Sequence, residues 1–192
     1  MPRSAARNRA ESTAVHAALG LLRLLPRNAA VSVAYGLLRV VDLLVPKLRR
    51  VAMRNFELAC PELPAAERPR RVNACFRSLA RVLAALAHFP KINAGNVHQW
   101  IRYEGYEHFE EALKRGKGVL FATGHLGNWE LSAFAHALMS QPMSFVVRPL
   151  DNPLLDALAT RYRQMSGNEV IGRNDLLRPI LRALHANRAV GI

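Results

Sequence analysis

Acidic side chains are scarce in this chain: 14 Asp and Glu stand against 27 Lys and Arg over 192 residues, a formal charge of +13. Cysteine is nearly absent. Cys60 and Cys75 form neither a Cys-x-x-Cys redox pair nor a metal-ligand set, which removes a disulfide scaffold and suits a reducing compartment. No uninterrupted run reaches the ~20 apolar residues of a simple transmembrane helix. The apolar segment after residue 12 is broken by His16 and Arg23, with no convincing small-residue cleavage site after it, so it reads poorly as a signal peptide. Zinc-finger spacing, RNA-binding signatures and a helix-turn-helix pattern are all missing, which argues against nucleic acid as the partner of the positive charge. A serine nucleophile elbow and a His-Glu-x-x-His metal site are missing too, so no metal is expected and a covalent serine-linked intermediate is disfavoured.

The charge that is present is uneven. Residues 1–100 hold 16 basic against 5 acidic side chains, and residues 101–192 hold 11 against 9. Basic residues scattered among apolar ones fit anionic lipid head groups. On a helical wheel of residues 29–45, Ser32, Tyr35, Gly36, Arg39 and Asp42 gather on one side, and valines and leucines cover the rest. Such a helix either lies in a bilayer interface, with Arg23, Arg27 and Arg39 reaching for phosphates, or is buried against a domain. Residues 1–60 are therefore expected to be a basic, apolar, helical membrane-associating segment, and residues 61–192 an α/β domain.

Pattern along the chain supports that division. Apolar segments flank Pro26, a third runs from Leu48 to Leu58, and residues 66–88 carry Val72, Phe76, Leu79, Leu83 and Leu86 at helical steps. Arg70, Arg71, Arg77 and Arg81 fall off that stripe, as on a solvated face. Beyond Pro90, strands are expected at Trp100–Glu104, Gly118–Thr123, Met143–Arg148, Glu169–Ile171 and from Ala189 onward. Helices are expected at Tyr106–Arg115, Asn128–Ser140, Pro153–Met165 and Leu176–Ala186. The alternation predicts an α/β fold with a mixed, largely parallel sheet flanked by helices. The strand beginning near the last residue leads us to expect a longer protein.

One stretch reads as chemistry: Thr123-Gly-His-Leu-Gly-Asn-Trp-Glu130, at an expected strand–loop–helix junction. His125 and Glu130 stand five residues apart, so a carboxylate in the first helical turn is placed to fix the tautomer of an imidazole base. A dyad of that kind deprotonates a hydroxyl for attack on a thioester. Gly124 and Gly127 permit close approach of backbone to substrate, and Asn128 suits an N-cap. Arg148 ends an expected strand, where open α/β sheets bind ligands, and its guanidinium suits a phosphate. Arg163 and Arg173 follow as weaker candidates. Asp151 reads as a turn residue and His136 as structural.

These blocks resemble the bacterial lipid A biosynthesis acyltransferases, a branch of the glycerolipid-type acyltransferase superfamily. The resemblance rests on Thr123–Glu130 and on Arg148-Pro-x-Asp-Asn-Pro153, and is supported by Arg49-Arg50-Val-Ala-Met-Arg-Asn55 before Pro61 and by Tyr103-Glu-Gly105. It implies His125 as general base and Glu130 as its partner. It also implies Arg148, Arg163 and Arg173, with Asn128 and Gly127 beside them, around the phosphate or acceptor head group. It implies no cofactor but an acyl co-substrate, acyl carrier protein or coenzyme A in some relatives. The acceptor is a lipid A precursor at the cytoplasmic face of the bacterial inner membrane, reached through an N-terminal hydrophobic helix. Another membrane glycolipid, such as a phosphatidylinositol mannoside, stays open as acceptor, as does an inactive membrane-surface protein. Family members continue past this point with an Asp-centred block, without which the acyl pocket would be incomplete.

Overall fold

A computed structural model of the chain describes residues 4–172 and 176–192. Two compact units are separable: residues 18–87, and residues 1–17 taken together with 88–192.

The continuous unit, 18–87, is helical. It holds the end of α1 (Ala5–Leu24), then α2 (Arg27–Leu44), α3 (Pro46–Ala59) and most of α4 (Arg68–His88). Proline starts α3 at its first turn, where the missing amide costs no hydrogen bond. The sequence stripe on α4 is only half right. Val72 and Phe76 are buried, but Leu79 is exposed and the buried face continues through Ala80 and Ala84. Alanine at these steps makes a smooth surface that neighbours approach closely, which a count of large apolar residues overlooks. The four arginines Arg70, Arg71, Arg77 and Arg81 are exposed.

Asp42 reverses the expected polarity of α2. Instead of facing solvent it is 4 % exposed. Arg49 of α3 donates to it from Nη2 at 2.6 Å and from Nε at 3.1 Å, and Arg39 from Nη1 at 2.8 Å. Both arginines also reach Asn73 Oδ1 on α4. The Arg49 hydrogen bond is the main cause holding the Asp42 carboxyl below its ordinary range. Arg39, expected to reach for lipid phosphate, is thus tied to Asp42 and Asn73 with part of its side chain still exposed. Among the described residues no single helix is long and apolar enough to cross a membrane. α2 and α3 pass that test only together, across a 95° bend.

The other unit carries the sheet. Its strands are β1 (Val119–Phe121), β2 (Met143–Val147), β3 (Glu169–Gly172) and β4 (Ala189–Gly191), ordered β1-β4-β2-β3 and parallel at every pairing. The helices between and before them are α5 (Tyr106–Leu113), α6 (Trp129–Met139), α7 (Pro153–Gln164) and α8 (Leu177–His185). The α/β fold read from the sequence is therefore present. The strand expected at 100–104 is not: Trp100 closes a 3-10 turn (Val97–Gln99) in a helical conformation, and residues 101–104 pair with no strand among the described residues. Period-two alternation of apolar and polar residues does not by itself supply a ladder partner.

Phe109, Met143 and Ala189 form a core on one side of the sheet, with Tyr106, Phe121 and Phe145 packed on it. Gly118 is obligatory there. Its φ is +70°, and a Cβ would lie 2.7 Å from Leu184 Cα and 2.8 Å from the Arg188 carbonyl oxygen. Asn152 caps α7 by accepting from Leu154 N, and its amide donates to Asn8 O and Glu11 Oε2, each at 3.0 Å. It is 2 % exposed, so these bonds are made out of water and fasten the first turns of α1 to α7.

Candidate active site

The chain leaves β1 at its carboxyl end and runs through Ala122–Gly127 before α6 begins, all six residues exposed. Two backbone features shape this loop. Gly127 takes φ +64°, open to glycine at no cost. His125 takes φ +53°, a left-handed conformation uncommon for a residue with a Cβ, and its amide donates to Thr123 Oγ1 at 3.2 Å. Outliers of this kind collect at functional loops. The imidazole is 5.6 Å from the Trp129 ring, centroid to centroid.

Asn128 is the N-cap of α6, its Oδ1 accepting from Leu131 N at 3.2 Å. That fixes the loop-to-helix turn, the N-cap role expected of Asn128 from the sequence. Gly127 likewise serves the turn through its φ.

His125 opens on a cavity of about 400 Å³, within the range of ligand sites. Phe121, Ala133, Phe145, Val146 and Val147 give it apolar walls, and Thr123, Glu130 and Arg163 are polar groups on its lining. The carboxyl ends of β1, β2 and β4 all border it, the position at which open parallel sheets take ligands.

Glu130 does not pair with His125. Its carboxylate is gripped by Arg163 in the last turn of α7, with Nη2 to Oε1 at 2.6 Å and Nε to Oε2 at 3.1 Å. A bidentate guanidinium is the stronger partner, and each charge also suits its helix end. The two side chains keep 16 % and 18 % of their surface exposed. Of the arginines expected at phosphate, Arg163 is therefore inside the cavity lining. Arg148 is exposed one residue beyond β2 and is not among the lining residues. Arg173 lies outside the described residues.

Two lining residues were not read as site residues. Tyr103 reaches His136 Nδ1 with its hydroxyl at 3.0 Å, and Phe109 and Phe121 stand edge-on to the same imidazole. His136 is buried, as a structural histidine should be, and its burial lowers its pKa from the ordinary 6.5. Burial likewise raises that of Tyr103. A polar pair inside an aromatic wall leaves no spacing signal, since the two residues lie 33 apart.

The matching family model, bacterial lipid A biosynthesis acyltransferase, covers residues 3–192. The chain is 33 % identical over 148 residues to a lipid A biosynthesis palmitoleoyltransferase of Escherichia coli, covering 76 % of this chain and 48 % of that protein. It is 28 % identical over 172 residues to the lipid A biosynthesis lauroyltransferase of the same organism, covering 90 % and 56 %. A lipid A biosynthesis acyltransferase of Haemophilus influenzae is 30 % identical over 140 residues, covering 73 % and 44 %. The chain spans about half the length of these curated relatives. With nearly every residue inside the family model, and with its His125–Glu130 block at the mouth of a cavity on the sheet's carboxyl edge, the chain belongs to the bacterial lipid A biosynthesis acyltransferase family.

Proposed function

We propose that this chain supplies the acyl-transfer centre of an enzyme that moves a fatty acyl group from a thioester to a hydroxyl of a lipid A precursor. Acyl carrier protein is the donor we favour, with coenzyme A as the alternative, and no cofactor takes part. The reaction belongs at the cytoplasmic face of the bacterial inner membrane, where such acceptors are reached. The observation that carries the reading is the position of His125: an exposed imidazole on a left-handed loop residue, beside an apolar cavity at the carboxyl edge of a parallel sheet.

In this reading the His125 imidazole takes the proton of the acceptor hydroxyl as its oxygen bonds to the thioester carbonyl carbon. Collapse of the tetrahedral intermediate breaks the carbon–sulfur bond, and the departing thiolate receives that proton. Glu130 acts through a change of partner. An acceptor phosphate that reaches Arg163 competes for the guanidinium now held by Glu130, and the released carboxylate then serves the imidazolium of His125. Arg148 and Arg173 join Arg163 in holding the head group.

The test is His125→Ala in the whole protein, assayed for transfer from acyl carrier protein to a phosphorylated lipid A precursor. A loss of about 10³-fold in kcat is expected for removal of a general base. Transfer at the wild-type rate would remove His125 from the mechanism.

A further inference from the structure

Helix α2 is built inside out. Ala30 and Ala34 are fully buried and the charged Asp42 is nearly so, whereas Leu43 is 70 % exposed and Leu44 is 76 % exposed. Leu37, Val40 and Val41 are exposed as well, and steps of three and four carry this face to Leu44. The ridge does not stop where α2 ends. Val45, at the bend, and Leu48 and Val51 of α3 continue it. Soluble proteins seldom expose so many contiguous large apolar side chains without a partner for them.

The bend itself is braced. Asp42 joins α2 to Arg49 of α3, and Asn73 of α4 receives both arginines, so ionic bonds to a buried carboxylate brace the 95° angle. Beside the apolar ridge, Lys47, Arg50 and Arg54 recur at steps of three and four on α3 and line a shallow groove with Val51 and Asn55. Arg54 also pairs with Glu57 at 2.9 Å. From residue 12 to residue 56 the sole acidic side chain is the buried Asp42, and Glu57, in the last turn of α3, is held by Arg54 and Arg68, so cations outnumber carboxylates on this flank.

We propose that the α2–α3 elbow docks on an anionic bilayer from one side. Leu43, Leu44 and Val45 enter the acyl region of a single leaflet, Lys47, Arg50 and Arg54 meet its phosphates, and neither helix crosses. Apolar tip and basic flank are the two signals that stable interfacial attachment requires. The elbow gives the proposed reaction a means of reaching its lipid acceptor, but it stands on its own observations.

The test adds the whole protein to preformed vesicles of phosphatidylethanolamine and phosphatidylglycerol and follows co-sedimentation. Wild type is expected to bind, and to lose roughly tenfold or more of that binding on phosphatidylcholine vesicles or as Lys47→Gln/Arg50→Gln/Arg54→Gln, since each basic residue near an anionic surface counts. Leu43→Asp/Leu44→Asp, at sites too exposed to disturb folding, is expected to abolish binding while leaving transfer to a detergent-dispersed acceptor unchanged. A nitroxide at Leu44→Cys, with Cys60→Ser and Cys75→Ser, should become accessible to oxygen and hidden from a water-soluble nickel complex, at a depth within one leaflet. Binding by the Asp variant equal to wild type, a nitroxide at the bilayer centre, or a ridge covered by a second protein instead of vesicles overturns the docking proposal. If transfer persists in detergent in those cases, the catalytic reading survives it. Loss of transfer in His125→Ala with vesicle binding intact separates the two in the other direction.

Discussion

Asp42 and Glu130 are both carboxylates held by arginine, and their surroundings give them opposite uses. Asp42 keeps 2 % of its side-chain surface exposed and receives two guanidiniums. Its acceptor sites are filled from within, and its removal would leave Arg39 and Arg49 crowded together, sharing the Asn73 oxygen as a hydrogen-bond acceptor, with Arg49 also over the Phe76 ring. Glu130 has one guanidinium, a cavity at its side and a sixth of its surface still exposed. The same ion pair is thus a brace where it is closed off and, in the proposed reaction, an exchangeable contact where it borders a cavity. What separates structure from chemistry here is access, since the residue types are alike.

The largest effect should come from breaking the brace. Asp42→Ala is expected to cost about 3 kcal/mol in urea unfolding, because it strands two partly buried arginines. A loss below ~0.5 kcal/mol would place Asp42 with surface pairs instead. Glu130→Gln should do the reverse: kcat/KM for acyl transfer falls about 100-fold, roughly 2.7 kcal/mol of transition-state stabilisation, while unfolding changes by about 1 kcal/mol or less. If stability fell as far as in Asp42→Ala and the surviving folded enzyme kept its rate, Glu130 would be a second brace.

The smallest effect is a matter of pH, and it too differs between the units. The Asp42 carboxyl is lowered from 3.8, so its contribution to stability is complete above pH 3.8 and disappears as pH falls through the folded value. His136 is also lowered, from 6.5, by burial of a base that prefers to stay neutral. The unfolded chain then binds a proton that the folded one refuses, and stability declines as pH drops below 6.5. Unfolding midpoints measured from pH 7.5 down to about 1.5 should show two separate declines. His136→Gln should remove the upper one, and Asp42→Asn should weaken the lower, to which Glu169 and Glu57, lowered by Arg188 and Arg54, also contribute. An upper decline that survives in His136→Gln would assign it to another group.

The parallel sheet was legible because β-rich runs alternated with helical ones, and four expected strands fall where β1 to β4 are found. The segment at 100–104 misled because period-two alternation is only a local pattern and carries no information about a ladder partner. The site loop was legible from its glycines and its capping asparagine, which act locally. The partner of Glu130 was not. Five residues separate it from His125 and 33 from Arg163, and no local spacing weighs a guanidinium brought in by another helix. The wheel of α2 grouped Asp42 with Ser32 and Gly36, yet those two are exposed while Asp42 is buried, because it is held by Arg49, which lies outside that helix.

The clasp at Asn152 sets a timetable for synthesis. Its bonds join residues 141 and 144 positions apart, so the larger unit cannot close until α7 has left the ribosome. The smaller unit, residues 18–87, is uninterrupted and is finished long before. A nascent chain therefore carries a folded elbow, with its leucines already outward, while the segment that will hold His125 is still being made. Loop closure across such a span is slow compared with local helix formation, so the early segment waits with its apolar ridge uncovered.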